Sequence, residues 1–536
     1  MSCRLPILLE LLRMTQTMLL RLWSVSGLKG KVQRFICTTA SSQQLAEVTL
    51  QDAKPVTDIP GPRNFPLLGS IPSMMMNKDF DSKRMQIFWM SLMKQYGPIV
   101  KLVNPGIPPM IMVANPDDCE MLNRVTQNQP ARTPLASLKH LRDNWTDDYF
   151  EKRAGIIVEN GDEWWRVRSL VQTTLLKPMV INEYLTEMDD VSCTFMDRIQ
   201  ELQDKYGEMP DNFQDELYKW ALESVGVVAL DRRFGCLGAP EGSLEAQEGE
   251  ELINLVNTLF SSLYVTEMRT QLWRLFQTPS YRRLKMNHEK LLKVVERKVD
   301  ESVEYLQQRR DDDHTGRKCS VIQMLLSKTG LSKKDVITFI MDIIFAGIDT
   351  TSHTMAFCLY LLARNPEAQK KLQEEVDQVT AGLQGPLTIK HMARLSYTKA
   401  VIKETFRIFP LTIGMVRVLN KDMVLQGYRI PAGYNVLVLN SLMGWDESFY
   451  PRANEFLPER WNRARPLGDI HPYASLPFGA GPRMCVGRRV AEQEMYTLLA
   501  RMAQRFTVEY NYEDIEQVSG LVFYPSRPLR FSFVPR

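Results

Sequence analysis

Apolar residues in YGPIVKLV (96–103) and PPMIMVAN (108–115) come in short runs bounded by glycine, proline and asparagine, which predicts a hairpin of two strands. From about residue 116 to 407 the pattern shifts to the three-to-four period of helices. WALESVGVVAL (220–230) is one such stretch, and a longer one runs from about Asp335 to Arg364. NPEAQKKLQEEVDQV (365–379) opens with Asn365 as N-cap and Pro366 at the first helical position. Strand character returns in DMVLQGYRIPAGYNVLVLN (422–440), with PAG as the turn, and in LVFYPSRPLRFSFVPR (521–536). GRRVAEQEMYTLLARMAQRF (487–506) predicts a last helix. DIPGPRNFPLLGS (58–70) has three prolines and two glycines, too many for a helix or a central strand, and reads as a rigid lead-in. QQRRDDDHTGRK (307–318) reads as a charged loop between helices. The chain shows no internal repeat, and no obvious linker divides residues 58–536. The expected fold is one large domain, mainly α, with a small β region built from distant segments.

The N-terminus has a different pattern. Leu5, Leu8, Leu9 and Leu12 make one apolar helical face, and the first 46 residues contain a single acid. Arg13 and Arg21 interrupt the apolar stretches, so no run is long enough to span a bilayer. A basic, acid-poor, amphipathic leader predicts a mitochondrial transit peptide over 1–37, with cleavage within RFICTTASS (34–42) and a linker over 38–57. A monotopic membrane helix or a frayed terminus is the alternative. Charge sharpens the contrast. The 536 residues carry +3 overall, but residues 1–37 hold six cations against Glu10 alone, so the remainder is slightly acidic. That excludes a global attraction for nucleic acid.

The eight cysteines form no CxxC pair and no zinc or disulfide spacing, which suggests a reducing compartment. One stands apart. FGAGPRMCVG (478–487) sets Cys485 among Gly479, Gly481 and Gly487, with Phe478 and Arg483 close by. Glycines let a large ligand approach the backbone and leave N–H groups near the sulfur. The helix that follows points its N-terminus at the thiolate. Arg483 can reach an anionic group. A large, flat, anionic ligand bonded through thiolate sulfur is haem.

The pattern FxxGxRxCxG, carried by Phe478, Gly481, Arg483, Cys485 and Gly487, resembles the haem-binding loop of the cytochrome P450 family. The resemblance covers about residues 58–536 and implies that family's fold, with haem b on an axial cysteine thiolate. Further motifs agree. KETFR supplies Glu404 and Arg407 one helical turn apart, and FLPERW supplies Arg460, a charge-assisted network able to pin a loop. FAGIDTTSH (345–353) puts Gly347, Asp349, Thr350 and Thr351 inside an apolar helix and predicts a local widening there. In the family Thr350 and Asp349 would deliver protons during dioxygen cleavage. Trp164 and Arg168, one turn apart in GDEWWRVRS, resemble the family's WxxxR haem-propionate contact, and Arg417 a further one.

Lys399 and Lys403 on the Glu404 helix, with Arg488 and Arg489 after the cysteine, would form a local basic patch on an acidic body. KxxxKExxR and CVGRRVAEQE resemble the mitochondrial clan, most closely its arthropod members, whose electrons come from a ferredoxin and its NADPH-dependent reductase. TLFSSLYVTEMRTQLWRLFQTPSYRRL (258–284) carries Trp273, Leu275 and Phe276 beside arginines and suits contact with the inner membrane on the matrix side. Phe345, Ala346, Leu411, Ile413, Met415 and Val522 are the expected apolar lining for a lipophilic substrate, sterol- or ecdysteroid-like or xenobiotic. The function implied is a mitochondrial monooxygenase. Its rivals are a haem-thiolate isomerase or dehydratase, a haem-binding sensor or carrier, and the same chemistry on the endoplasmic reticulum with a flavoprotein reductase.

Overall fold

A computed structural model describes residues 50–104, 108–133, 135–268, 271–312 and 320–536. The leader and most of the expected linker lie outside these. Compactness divides the described chain into two units, 50–59 with 421–432, and 60–420 with 433–536. The first is a small three-stranded sheet. Lys54–Pro55, within the stretch read as linker, pairs in parallel with Tyr428–Ile430, which pairs antiparallel with Met423–Leu425.

The second unit is mainly helical, and the elements that matter to its site are labelled in chain order. The helices are α1 (Ala136–Asp143), α2 (Gly161–Leu175), α3 (Phe213–Leu230), α4 (Leu244–Met268), α5 (Pro279–Asp312), α6 (Lys333–Arg364), α7 (Ser396–Ile408) and α8 (Arg488–Arg505). The strands are β1 (Ile99–Leu102), β2 (Met110–Val113), β3 (Met415–Val418) and β4 (Asn435–Val438). They form one sheet in the order β1-β2-β4-β3. The expected hairpin is β1 and β2, with Ile99 opposite Val113. β4 lies parallel to β2 and antiparallel to β3, and all four of its residues are buried, as a central strand requires.

Helix α6 is the axis of the core. Ser332 and Asp335 close a capping box at its start, and most of its residues are buried. It is long and apolar enough to cross a membrane, yet 78% of its most apolar stretch lies inside the protein, so it is a core helix. Gly347 lets α3 come close: a Cβ there would sit 2.7 Å from a Val225 methyl. The widening expected at 346–351 is absent. The helix is α throughout. Thr350, Thr351 and Thr354 instead send their hydroxyls back to the carbonyls of Ala346, Gly347 and Thr350, which satisfies them without opening the ladder.

Other expectations change in detail. Asn365 joins two helices, but its side chain donates backward to the Leu361 carbonyl and caps no N–H of the next helix. PAG is not a hairpin turn. The chain reverses at Gln426–Gly427, both left-handed, and Asn435–Val438 enters the other sheet. The charged stretch from 307 is helical as far as Asp312, as the last turns of α5, and its remainder lies largely outside the described residues. Trp273 is buried, stacked on Tyr281 at 5.5 Å and donating to the Thr266 carbonyl, so it is no part of an exposed apolar face.

Gly414 leads into β3 where no side chain fits, since a Cβ there would lie 1.9 Å from the Val438 carbonyl oxygen. Gly414→Ala should therefore cost at least ~2 kcal/mol by forcing β3 off β4. Urea unfolding of the two proteins side by side measures it, and a midpoint equal to the parent's would refute the packing.

Candidate functional site

The loop before α8 is built around its cysteine. Gly479 and Gly481 adopt left-handed φ of +71° and +69°, and the Cys485 N–H closes back on the Phe478 carbonyl at 2.8 Å. Gly487 is different. Its φ of −83° suits any residue, and a Cβ there would make only ordinary contact with the Cys485 sulfur, at 3.9 Å. Cys485 is exposed, yet desolvation by the surrounding protein raises its thiol pKa. The Gly487 N–H, Arg168, Arg132 and Arg488 pull the other way and favour the thiolate. Phe478 packs edge-on against Phe406 of α7, at 5.3 Å between ring centroids.

Arg168, Arg417 and Arg483, expected from the sequence, do converge, and a fourth joins them. Arg132 precedes α1 and was not anticipated. All four are pushed below the ordinary guanidinium range, first by burial, Arg483 to about 9 and Arg168 and Arg417 each to about 10. Mutual repulsion adds to this, with Arg132 acting on each of the other three. Asn160 fixes the pair Arg132 and Arg483. Its side chain accepts from the Arg132 N–H at 3.1 Å and from Arg483 Nη2 at 2.6 Å, and donates to the Arg132 carbonyl at 3.0 Å. Trp164 lies under the Arg483 guanidinium at 4.3 Å. Its indole therefore stacks on an arginine of the cradle. The nearest carboxylates are already engaged, Glu159 by Lys139 at 2.7 Å and Asp342 by Arg142 at 2.8 Å. Four buried donor nitrogens, Arg168 Nη2, Arg417 Nε, and Arg483 Nε and Nη1, have no partner among the described residues. Such a cradle fits a ligand with two carboxylates.

Two buried ion networks hold this arrangement. Arg142 reaches Asp342 of α6, His288 of α5 and the Ala154 carbonyl, and so anchors the loop that carries Glu159 and Asn160. Burial keeps His288 neutral, its pKa far below the usual value. On the other side, Glu404 pairs with Arg407 at 2.8 Å and Arg460 at 3.3 Å, all fully buried. It also accepts from the Leu457 N–H and the Trp461 indole. Arg407 and Arg460 spend their remaining donors on the carbonyls of Gly444, Pro451, Arg452, Ala453 and Glu455. The motif thus ties residues 444–461 to α7, the helix whose Phe406 supports Phe478.

Across α6, Ala346 is exposed although Phe345 and Ile348 are buried, so this stretch of helix borders open space. Thr350 lies one turn on, half-buried. Asp349 is buried, with Oδ1 unpartnered, and desolvation pushes its pKa up to about 7. Leu411 and Val522 pack on the same core cluster, and the Phe523 N–H donates to the Leu411 carbonyl. Phe345 is stacked on Phe260 at 4.4 Å. Met415 is buried at the start of β3. Ile413 packs instead with the β-sheet cluster around Phe88 and Leu102, away from the other expected lining residues.

The four basic residues near the cysteine differ in availability. Lys399 is half-buried and donates to the Met392 carbonyl at 2.6 Å. Arg488 and Arg489 share Glu492, at 2.8 and 3.3 Å. Lys403 is exposed, with its ammonium over Trp461.

Comparison with known proteins agrees with this geometry. The cytochrome P450 family profile matches residues 59–533. The chain is 34% identical to the fruit-fly protein named "Probable cytochrome P450 12a5, mitochondrial", over 90% of this chain and 91% of that one. It is 32% identical to house-fly cytochrome P450 CYP12A2, over 96% of each, and 30% identical to cytochrome P450 10 of the snail Lymnaea stagnalis, over 91% and 87%. The chain belongs to the cytochrome P450 family. It is a haem monooxygenase whose cofactor is haem b on a cysteine thiolate, with relatives named as mitochondrial. The unpartnered donors of the cradle suit the two haem propionates, and Cys485 is the thiol beside them.

Two consequences are measurable. Glu404→Ala strands two buried guanidinium groups and should cost about 3–5 kcal/mol, seen as loss of folded, haem-retaining protein. Recovery of stable holoprotein at the parent's yield would contradict it. Asp349 should oppose folding at high pH. Its carboxyl titrates near 3.8 when unfolded and near 7 when folded, so between those values the fold holds a proton the unfolded chain has lost. Stability then falls as pH rises through this window, by on the order of 4 kcal/mol once above it. Asp349→Asn should raise the melting temperature at about pH 8 and leave it little changed at about pH 4. Equal shifts at both would contradict the raised pKa.

Proposed function

We propose that the protein is a mitochondrial monooxygenase that hydroxylates a small lipophilic molecule with electrons delivered by a ferredoxin. What supports this is one thiol, Cys485, set beside a buried arginine cradle, together with the acid Asp349 and the hydroxyl of Thr350 on α6. Bound haem supplies activation of dioxygen, with one oxygen atom passing to substrate and the other to water. Cys485 would be the axial ligand, while Arg132, Arg168, Arg417 and Arg483 would hold the propionates. Asp349 carries an exchangeable proton near neutral pH, and the Thr350 hydroxyl next to it rests on the Ala346 carbonyl and can turn to pass that proton on. Phe345, Ala346, Leu411, Met415 and Val522 exclude water and offer no charge, so the substrate is apolar.

The ferredoxin would dock over Lys403 and Arg489, the two members of the patch whose side chains are exposed. Lys399 contributes charge but not a free ammonium. An inner-membrane surface would be met by the exposed Leu272, Leu275 and Phe276, with Met268 at the end of α4, and by Leu67, Leu68, Met75 and Met76. Leu67 and Leu275, at 94% and 81% exposed, are the most open of these.

Reconstitution tests the reading. With a mitochondrial ferredoxin and its reductase, NADPH and dioxygen should be consumed and a lipophilic substrate hydroxylated. The double variant Lys403→Glu, Arg489→Glu should raise the KM for ferredoxin at least tenfold, an effect that weakens at high salt. Turnover without ferredoxin would favour an isomerase or dehydratase, and turnover only with a flavoprotein reductase would relocate the enzyme.

A further inference from the structure

His353 stands one helical turn after Asp349 on the same face of α6, and the chemistry described so far gives it no work. It is buried, and its Nε2 is 2.9 Å from the Tyr218 hydroxyl of α3. The helix packing brings the two together. Gly347 lets Val225 approach α6, and Tyr218 lies two turns from Val225 on the same face of α3. The His353 ring packs edge-on against Tyr218 at 5.7 Å and lies 6.2 Å from the Tyr524 ring.

The groups facing this pair run from the interior to the surface. Burial raises the Tyr218 pKa, and the charges that act on it are Asp349, Asp215 and Tyr524. Asp349 is buried, whereas Asp215 and Tyr524 are exposed. Burial holds His353 neutral, its pKa pushed down to about 3, so the ring has one N–H and one free lone pair. Two buried polar atoms in the cluster, Asp349 Oδ1 and His353 Nδ1, have no partner among the described residues. Leaving both unsatisfied is costly in a packed core, and residues at this spacing can meet by a change of rotamer.

We propose that Tyr218 and His353 form the proton route that recharges Asp349 from the surface at Asp215 and Tyr524. This rests on the reading of Asp349 as a proton donor. A proton reaching Tyr218 Oη from the surface lets the hydroxyl release its own proton to His353 Nε2. The imidazole releases its Nδ1 proton to the Asp349 carboxylate. Tyr218 ends unchanged and His353 ends as the Nε2–H tautomer. One proton enters, one arrives, and nothing is oxidised or reduced.

The test uses the full-length holoprotein at about pH 6, below the folded pKa of Asp349, where its carboxyl is mostly protonated. The infrared band of that carboxyl is the one lost in Asp349→Asn. Its hydrogen–deuterium exchange should slow at least tenfold in Tyr218→Phe, which removes only a hydroxyl, and in His353→Phe, which keeps a ring. Both variants should retain the parent's haem-thiolate spectrum while hydrogen peroxide released per NADPH rises severalfold. Exchange and peroxide yield within twofold of the parent in Tyr218→Phe overturn the route alone. An unchanged peroxide yield in Asp349→Asn overturns the proton reading of Asp349, and the route with it.

Discussion

Buried positive charge without a matching carboxylate is the constraint on which this site depends. Arg132, Arg168, Arg417 and Arg483 crowd one another inside the protein, and the acids near them are held by Lys139 and Arg142. Guanidinium groups so placed are stable only with an anion between them. The cradle is therefore a demand for a dianionic ligand, made before any ligand binds. The same field lowers the pKa of the adjacent Cys485 thiol against the pull of burial. On the proposed reading, one cluster would select the cofactor by its carboxylates and favour the thiolate of the sulfur beside it.

The surrounding fold keeps that cluster from collapsing. Glu404, Arg407 and Arg460 clamp residues 444–461 to α7, and the Arg142–Asp342 pair clamps the loop of Asn160 to α6. These are buried networks with their donors nearly all satisfied, which makes them rigid rather than strongly stabilising. Helix α6 joins the two sides. It carries Asp342 toward the cradle, Thr350 toward the open face and Asp349 with His353 toward α3. A helix with these polar groups tolerates the hydroxyls because each is returned to its own backbone.

Much of this was legible in the chain. The cysteine loop, the Glu404–Arg407–Arg460 set, the β1–β2 hairpin and the long helix of residues 333–364 are local patterns at fixed spacing, and local patterns survive folding. Arg132 was missed because it is a single arginine in a proline-bordered loop, and only the fold brings it to Arg483. Asn160 was missed for the same reason. Where the sequence reading erred, tertiary context had overridden a local signal. The threonines of 346–354 bond backward and leave the helix regular, Trp273 turns inward onto Tyr281, and Asn365 caps the helix behind it. The basic patch around Lys399, Arg488 and Arg489 is visible in the sequence, but no pattern could show that a carbonyl and Glu492 already engage them.

The central claim is that Cys485, within the arginine cradle, is the thiolate that holds haem. The absorption spectrum of the purified, reduced protein under carbon monoxide tests it most directly. The account predicts a strongly red-shifted Soret band for the parent and for Cys358→Ser, whose thiol is buried in α6, and loss of that band in Cys485→Ser. A red-shifted band that persists in folded Cys485→Ser would contradict it.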